Sequence, residues 1–264
     1  MDLWGLTPDG PPIVTPGARL MAVRRGLEPA MLKIATEADE KLGRILMTWW
    51  DGRGAARILE HQGDAILLER ATESRSLSDM ARTGHDSEAT AILCDALAVL
   101  HAPRAKPWPD LLPLSAWFRD LEPVASSQGG FFARAHEEAG RLLSSPQDVV
   151  ALHGDIHHDN VLDFGVRGWL AIDPKRLLGE RGFDYANIFC NPDLADPTPP
   201  VAIIPERFSE RLRIVTERSG LDRRRLLRWI LAWTGLSAAW FYGDGTPFEI
   251  EARIAELAAA ELDR

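Results

Sequence analysis

Cysteine is scarce: Cys94 and Cys190 are the only two in 264 residues. Two thiols so far apart, one of them inside a helical pattern, build neither a disulfide framework nor a zinc site. They read as packing residues of a protein kept in a reducing cytoplasm. No apolar run is long enough to span a bilayer, and no basic-then-apolar start suggests a signal peptide, so neither a membrane span nor export is expected. Dense Lys/Arg blocks are missing too, and the net charge is −9. That balance speaks against nucleic acid and anionic membranes as partners and favours a cationic small molecule. Repeats and low-complexity tracts are absent. What remains, 45% apolar and 26% charged residues, suits a globular enzyme with room for a sizeable core. Oligomeric state is not legible from any of this.

The chemistry concentrates in His153-Gly154-Asp155-Ile156-His157-His158-Asp159-Asn160, followed by Ile172-Asp173-Pro174. An apolar run at 149–152 leads into it. Residues 161–164 and 168–172 read as short strands about a glycine-bounded turn, a hairpin. Loop and hairpin would bring Asp155, Asn160 and Asp173 to one place. An aspartate with an asparagine five residues on is an arrangement used for phosphoryl transfer, where the aspartate accepts the acceptor's proton and the asparagine holds magnesium. A carboxylate beyond the hairpin adds a second hard oxygen, which suffices for magnesium when phosphates supply the rest. His157, His158 and Asp159 are adjacent and lack the i, i+4 spacing of a zinc-binding helix. Asp163-Phe164-Gly165 spells a magnesium motif of protein kinases. It lies only three residues past Asn160, too close to fold back onto it, so Asp163 is expected to be an exposed strand residue.

The first 71 residues read as β-rich, with a hairpin made by 20–23 and 31–34 around the turn at 25–29. Lys33 sits in an apolar strand, where a lysine needs a partner or a role, and binding phosphates is one. A helix over 36–49 follows, offering Glu37 and Glu40 as ion-pair partners, and then a strand at 65–71. From Thr72 the pattern turns helical, with helices expected at 88–101, 115–121, 131–143, 205–220, 222–241 and 249–262. The chain is therefore α+β: a small β-rich N-terminal lobe and a larger, mainly helical C-terminal lobe, with a cleft between.

The loop at 153–160, Ile172-Asp173-Pro174, and Gly179 with Asp184-Tyr185-Ala186 resemble the aminoglycoside phosphotransferase family. Asp51-Gly52-Arg53-Gly54-Ala55-Ala56-Arg57, Leu67-Leu68-Glu69, Gly168-Trp169-Leu170 and Leu236-Ser237-Ala238-Ala239-Trp240 resemble, more narrowly, its branch of streptomycin 6-phosphotransferases and hydroxyurea-resistance kinases. The resemblance runs nearly end to end. It implies a two-lobed protein-kinase-like fold, with a nucleotide-binding lobe at 1–71 and a catalytic and substrate-binding lobe at 72–264. It implies ATP and Mg2+ as cofactors, and transfer of the γ-phosphoryl group to a hydroxyl of an aminoglycoside, streptomycin foremost, as antibiotic resistance. The alternatives are a kinase for hydroxyurea or another small hydroxylated metabolite, and a nucleotide-binding pseudokinase with a regulatory role.

The resemblance also implies roles. Asp155 is the base, and His157 stands where protein kinases carry a lysine. Asn160 and Asp173 hold the metal. Gly17 covers the nucleotide phosphates, although no Gly-x-Gly-x-x-Gly is present there. Glu40 pairs with Lys33, the backbone of Glu69 and Ala71 meets the adenine edge, and Asp184 is a structural carboxylate bonding loop amides. Carboxylates bind the two guanidinium groups of streptomycin bidentately, and Glu180, Asp193, Asp196 and Asp244 are the candidates, with Trp240 as a cleft-lining aromatic. Lys175 stands where the family pattern leads one to expect a neutral residue, and a cation there either contacts phosphate or repels a cationic substrate.

Overall fold

The structure is a computed structural model; it describes the backbone of residues 1–264 and the side chains of all but residues 38–40. The N-terminal part comprises β1 (Leu6–Val14), β2 (Ala18–Arg25), β3 (Glu28–Ala35), α1 (Ala38–Trp50), β4 (Ile58–Gln62) and β5 (Ala65–Glu69). The strands form one antiparallel sheet in the order β1-β2-β3-β5-β4. The β2–β3 hairpin pairs from Ala18↔Ala35 to Arg25↔Glu28, around the turn the sequence predicts. β3 inverts the usual alternation, since Lys33 is 5% exposed while Ile34 is 42% exposed. Both placements cost solvation energy, and what offsets the first is the partner Lys33 finds across the cleft.

β1 is the element the sequence does not announce. It carries Pro8, Gly10, Pro11 and Pro12, and its register on β2 slips between Pro8 and Pro12. Prolines lack the N–H that an inner strand must donate, so a strand of this kind belongs at a sheet edge, where β1 lies.

The C-terminal part runs α2 (Leu77–Met80), α3 (Asp86–His101), β6 (Leu112–Pro113), α4 (Leu114–Trp117), α5 (Leu121–Gln128), α6 (Gly130–Ser144), β7 (Val149–Leu152), β8 (Val161–Asp163), β9 (Trp169–Ala171), β10 (Leu177–Glu180), α7 (Gly182–Asn187), α8 (Pro205–Ser219), α9 (Arg223–Gly243) and α10 (Glu249–Leu262). β6, β10 and β7 form a small sheet, and β8 and β9 form the predicted hairpin. Helix α9 is the centre of this lobe. Its N-cap Asp222 accepts the Arg225 amide at 2.8 Å, and its residues from Trp229 to Ala239 are all buried. Only a helix surrounded by protein can be apolar on every side. At Gly235 a Cβ would stand 2.1 Å from the Cβ of Ala135 on α6, so that crossing requires glycine.

Cys94 and Cys190 are free and buried, and burial pushes the Cys94 thiol up to about 12, as suits packing residues. Among the described residues, no helix is long and apolar enough to cross a membrane.

The lobes are joined by backbone. After α1 ends at Asp51, in the left-handed region at φ 51°, the chain lies along β9. The Ala56 amide donates to Ala171 O and the Ala171 amide to Gly54 O, both at 2.9 Å. Arg167, in the β8–β9 turn, ion-pairs with Glu69 and donates to Gly52 O at 2.5 Å, while Arg104 donates to Arg53 O at 2.9 Å. The Asp51-Gly52-Arg53-Gly54-Ala55-Ala56-Arg57 segment is thus the seam that fixes the metal-capable hairpin under the N-terminal sheet.

Candidate active site

The loop after β7 is held from beneath by one carboxylate. Asp184, fully buried on α7, accepts the amides of His153 and Gly154 at 2.8 Å each and meets His101 Nε2 at 2.8 Å. His153 Nε2 donates to Ile172 O at 2.8 Å, and its Nδ1 accepts the Asp155 amide at 3.2 Å. Those partners define one neutral tautomer. Burial makes it the stable form, since it pulls the His153 pKa down to about 4, against the pull of Asp184. The ring also stacks on Trp50, with centroids 6.1 Å apart. His153 therefore shapes the loop.

The loop then runs on to the hairpin. Asn160 Nδ2 donates to Asp155 O at 2.8 Å, and Asn160 O accepts the Ile172 amide at 2.9 Å, so Asn160 and Asp173 lie at the same open end of the β8–β9 hairpin. Asp173 has a φ of 61° and ion-pairs with Lys33 of β3. A non-glycine residue in that conformation is uncommon and is a reason to suspect a functional constraint. Helix α1 closes against the next residue: a Cβ at Gly43 would sit 2.3 Å from Pro174 O. The Asp155 carboxyl is pushed up by burial and by Asp173, while His157 and Lys175 pull it down. Lys175 Nζ stands 3.9 Å from Asp155 Oδ2. His157 Nδ1 accepts the Asp159 amide at 3.3 Å, which leaves Nε2 as its donor.

Between the lobes opens a cleft. Its walls are apolar, with Leu20, Met31, Met47, Leu68, Leu162, Phe164 and Ile172, and it includes Lys33, Arg44 and Asp173. An apolar slot with a few polar groups is a common form for a ligand site. Glu69 and Ala71 line it. The Glu69 amide donates to Arg57 O at 3.0 Å, and its carboxylate is engaged by Arg167 and, at 3.0 Å, by the Arg57 amide. Gly17 is not among the cleft residues; its carbonyl accepts the Thr36 and Glu37 amides at 2.8 and 3.4 Å, at the entry to α1. The Glu40 side chain lies outside the described residues.

Several expectations need correcting. Asp163 is 7% exposed, and its Oδ1 accepts the Gly165 amide at 2.9 Å, so it braces the hairpin turn from inside. Glu180 does not face an acceptor. It is buried, and its oxygens take Arg225 Nε and NH2 at 2.6 Å, Trp229 Nε1 at 2.7 Å and the Gln147 amide at 2.8 Å. Asp193 is also buried, folding the Val201, Ala202 and Ile203 amides around itself. Trp240 packs edge-on against Trp117 at 5.2 Å and donates to Asp120 at 3.0 Å. Asp244 is exposed just past α9. Asp196 is exposed on a loop whose backbone holds Arg82, a cation close enough to depress the buried His158.

Two residues at the site carry no role in the sequence reading. Asp159 is exposed on the loop itself and fixed by Ser78 Oγ at 2.6 Å. Arg44, one helical turn past Glu40, lines the cleft, and the α1 periodicity was the signal that could have found it.

This chain matches the model of the aminoglycoside/hydroxyurea antibiotic resistance kinase family over residues 3–245. It belongs to that family. It is 54% identical over 264 residues to a streptomycin 3''-kinase of Klebsiella pneumoniae, covering 100% of this chain and 98% of that one. It is 29% identical over 267 residues to a streptomycin 6-kinase of Streptomyces glaucescens, covering 93% and 82%. Among solved structures it resembles an aminoglycoside phosphotransferase in ternary complex with ADP and hygromycin B, with TM-score 0.65 and 15% identity over 99% of this chain and 96% of that one. The protein-kinase-like fold expected from the sequence is the fold observed.

Proposed function

We propose that this protein transfers the γ-phosphoryl group of ATP to a hydroxyl of streptomycin. The observation that carries the reading is the convergence of Asp155, Asn160, Asp173 and Lys33 beside the apolar cleft, in a chain 54% identical to a protein named for that substrate. The apolar walls take the adenine, and Lys33 neutralises phosphate charge. Asp155 orients the acceptor hydroxyl and takes its proton, and His157 Nε2 donates toward the phosphoryl group in transit. Phosphoryl transfer asks little covalent chemistry of a protein, so this positioning and charge compensation are the catalysis.

The residues fit magnesium. Asn160 uses its Nδ2 on the loop and keeps its Oδ1, while Asp173 gives one oxygen to Lys33 and keeps the other. Two hard oxygens suit an ion that draws its remaining ligands from phosphates and water. When bound, magnesium neutralises the phosphate oxygens. A reducing cytoplasm that supplies ATP is the compartment these features suit.

Lys175 beside Asp155 favours a second reading, in which the acceptor is small and neutral, as hydroxyurea is. ADP release with Mg-ATP, measured against streptomycin, other aminoglycosides and hydroxyurea, separates the two. Stimulation by streptomycin supports the first reading and stimulation by hydroxyurea alone the second; stimulation by other aminoglycosides alone makes the streptomycin assignment wrong, and stimulation by none of them makes the aminoglycoside assignment wrong. Mass and NMR analysis of the product distinguishes the 3'' from the 6 hydroxyl.

A further inference from the structure

Helix α7 is buried at every residue from Gly182 to Asn187. Two of its polar side chains, Asp184 and Asn187, lie three residues apart and so share a face. Asp184 is fully occupied by the loop amides and His101. Asn187 is not. Only 2% of it is exposed, and its Oδ1 accepts from Asn191 Nδ2 at 3.2 Å. The same Asn191 donor reaches Asn187 O at 3.1 Å, so Asn191 spans both oxygens and fixes which way the Asn187 amide points. The oxygen faces Asn191, and the NH2 faces away from it.

That buried Nδ2 has no aligned hydrogen-bond partner. It lies on the face of α7 from which Asp184 holds the His153 and Gly154 amides, beside Asp155, and with His157 and Lys175 it counts among the groups that hold the Asp155 carboxyl down against its burial. A buried donor without a partner calls for an explanation. Hydrogen bonds to catalytic groups are often loose in the resting enzyme and tighten in the reacting complex.

We propose that Asn187 is a positioning residue: its Nδ2 donates to one oxygen of Asp155 in the reacting complex and turns the other toward the acceptor hydroxyl. Helix α7 then serves the base twice. Asp184 fixes the backbone before it and Asn187 fixes its carboxylate. The inference rests on Asp155 being the base, as argued under Proposed function.

Asn187→Asp is the discriminating variant. It keeps the shape and the oxygen that Asn191 holds, but turns the donor that faces Asp155 into an acceptor that can carry charge, so Asn191→Ala, which frees the amide without adding charge, is read beside it. The expected result is a kcat lower by about 10²-fold, the scale of a misplaced catalytic group, with KM for both substrates within about twofold. ADP-induced thermal stabilisation should be retained. Added to Asp155→Asn, the same change should cause no further loss, because residues acting as one unit are not additive. A kcat within about twofold of wild type, or full additivity with Asp155→Asn, overturns the proposal. If Asn187→Asp does not fold, Asn191→Ala carries the test, since it removes only the brace. There a kcat fall of several-fold at constant KM supports the proposal, and an unchanged kcat overturns it. If Asp155→Asn itself keeps turnover, it is the reading of the base that fails.

Discussion

Two buried ion pairs divide the labour of this molecule. Arg211 and Asp86 are both 0% exposed, and Arg211 fills its remaining capacity with Ile188 O at 3.1 Å and Asn191 O at 2.5 Å. Lys33 and Asp173 are paired as well, but the Asp173 side chain is 35% exposed, sits on a left-handed backbone and borders the cleft. The closed pair holds α3, α8 and the segment after α7 together. The open pair joins β3 to the hairpin and keeps an oxygen in reserve. A pair closed off from water on every side marks structure, and a pair whose carboxylate is exposed at a cleft marks work to be done.

That contrast can be broken from either side. Arg211→Met strands the Asp86 carboxylate in the core, and a loss of about 3–5 kcal/mol in urea unfolding is expected. Lys33→Met strands a carboxylate that water can reach, so stability should stay within about 1 kcal/mol of wild type. Its kcat/KM for ATP should instead fall by about 10²–10³-fold, the usual cost of removing one group that stabilises developing charge. Equal losses of stability in the two variants would erase the distinction.

The loop support gives a pH test. His153 titrates at about 4 in the folded protein and near 6.5 when unfolded. Between those values the unfolded chain binds the extra proton, so stability rises with pH across the window and is lost as pH falls from about 6.5 to 4. The full shift amounts to about 3 kcal/mol. His158, depressed by burial, acts in the same sense, and the raised carboxyls of Asp155, Asp193 and Glu251 act in the opposite one. Urea melts at pH 7 and pH 5 measure the balance, and His153→Gln, which cannot titrate, should flatten the dependence. A smaller effect is expected at Gly43→Ala. The added methyl meets Pro174 O and must push α1 from the open pair, costing about 1–2 kcal/mol in apparent ATP affinity.

What the sequence made legible follows the same division. The β2–β3 hairpin, the long helices and the loop at 153–160 are local, and periodicity or spacing within a few residues describes them. The acceptor-side acids are not local. Glu180 finds Arg225 and Trp229, and Asp193 finds the amides of 201–203, through folding that no spacing records. Carboxylates that read as available for a cationic substrate are thereby spent on the fold. Asp163 departs from its expected exposure for the same reason, because the turn it braces takes its carboxylate inside. β1 was hidden by prolines that only an edge position tolerates.

The most direct test of the account is the initial rate of ADP release, with streptomycin and Mg-ATP, by Asp155→Asn beside the wild type. The account predicts a loss of about 10²–10⁴-fold, as for removal of a general base, with ADP still raising the melting temperature. A variant that turns over streptomycin within a few-fold of wild type would contradict it, because the loop at 153–160 would then be scaffold and the catalytic base would lie elsewhere.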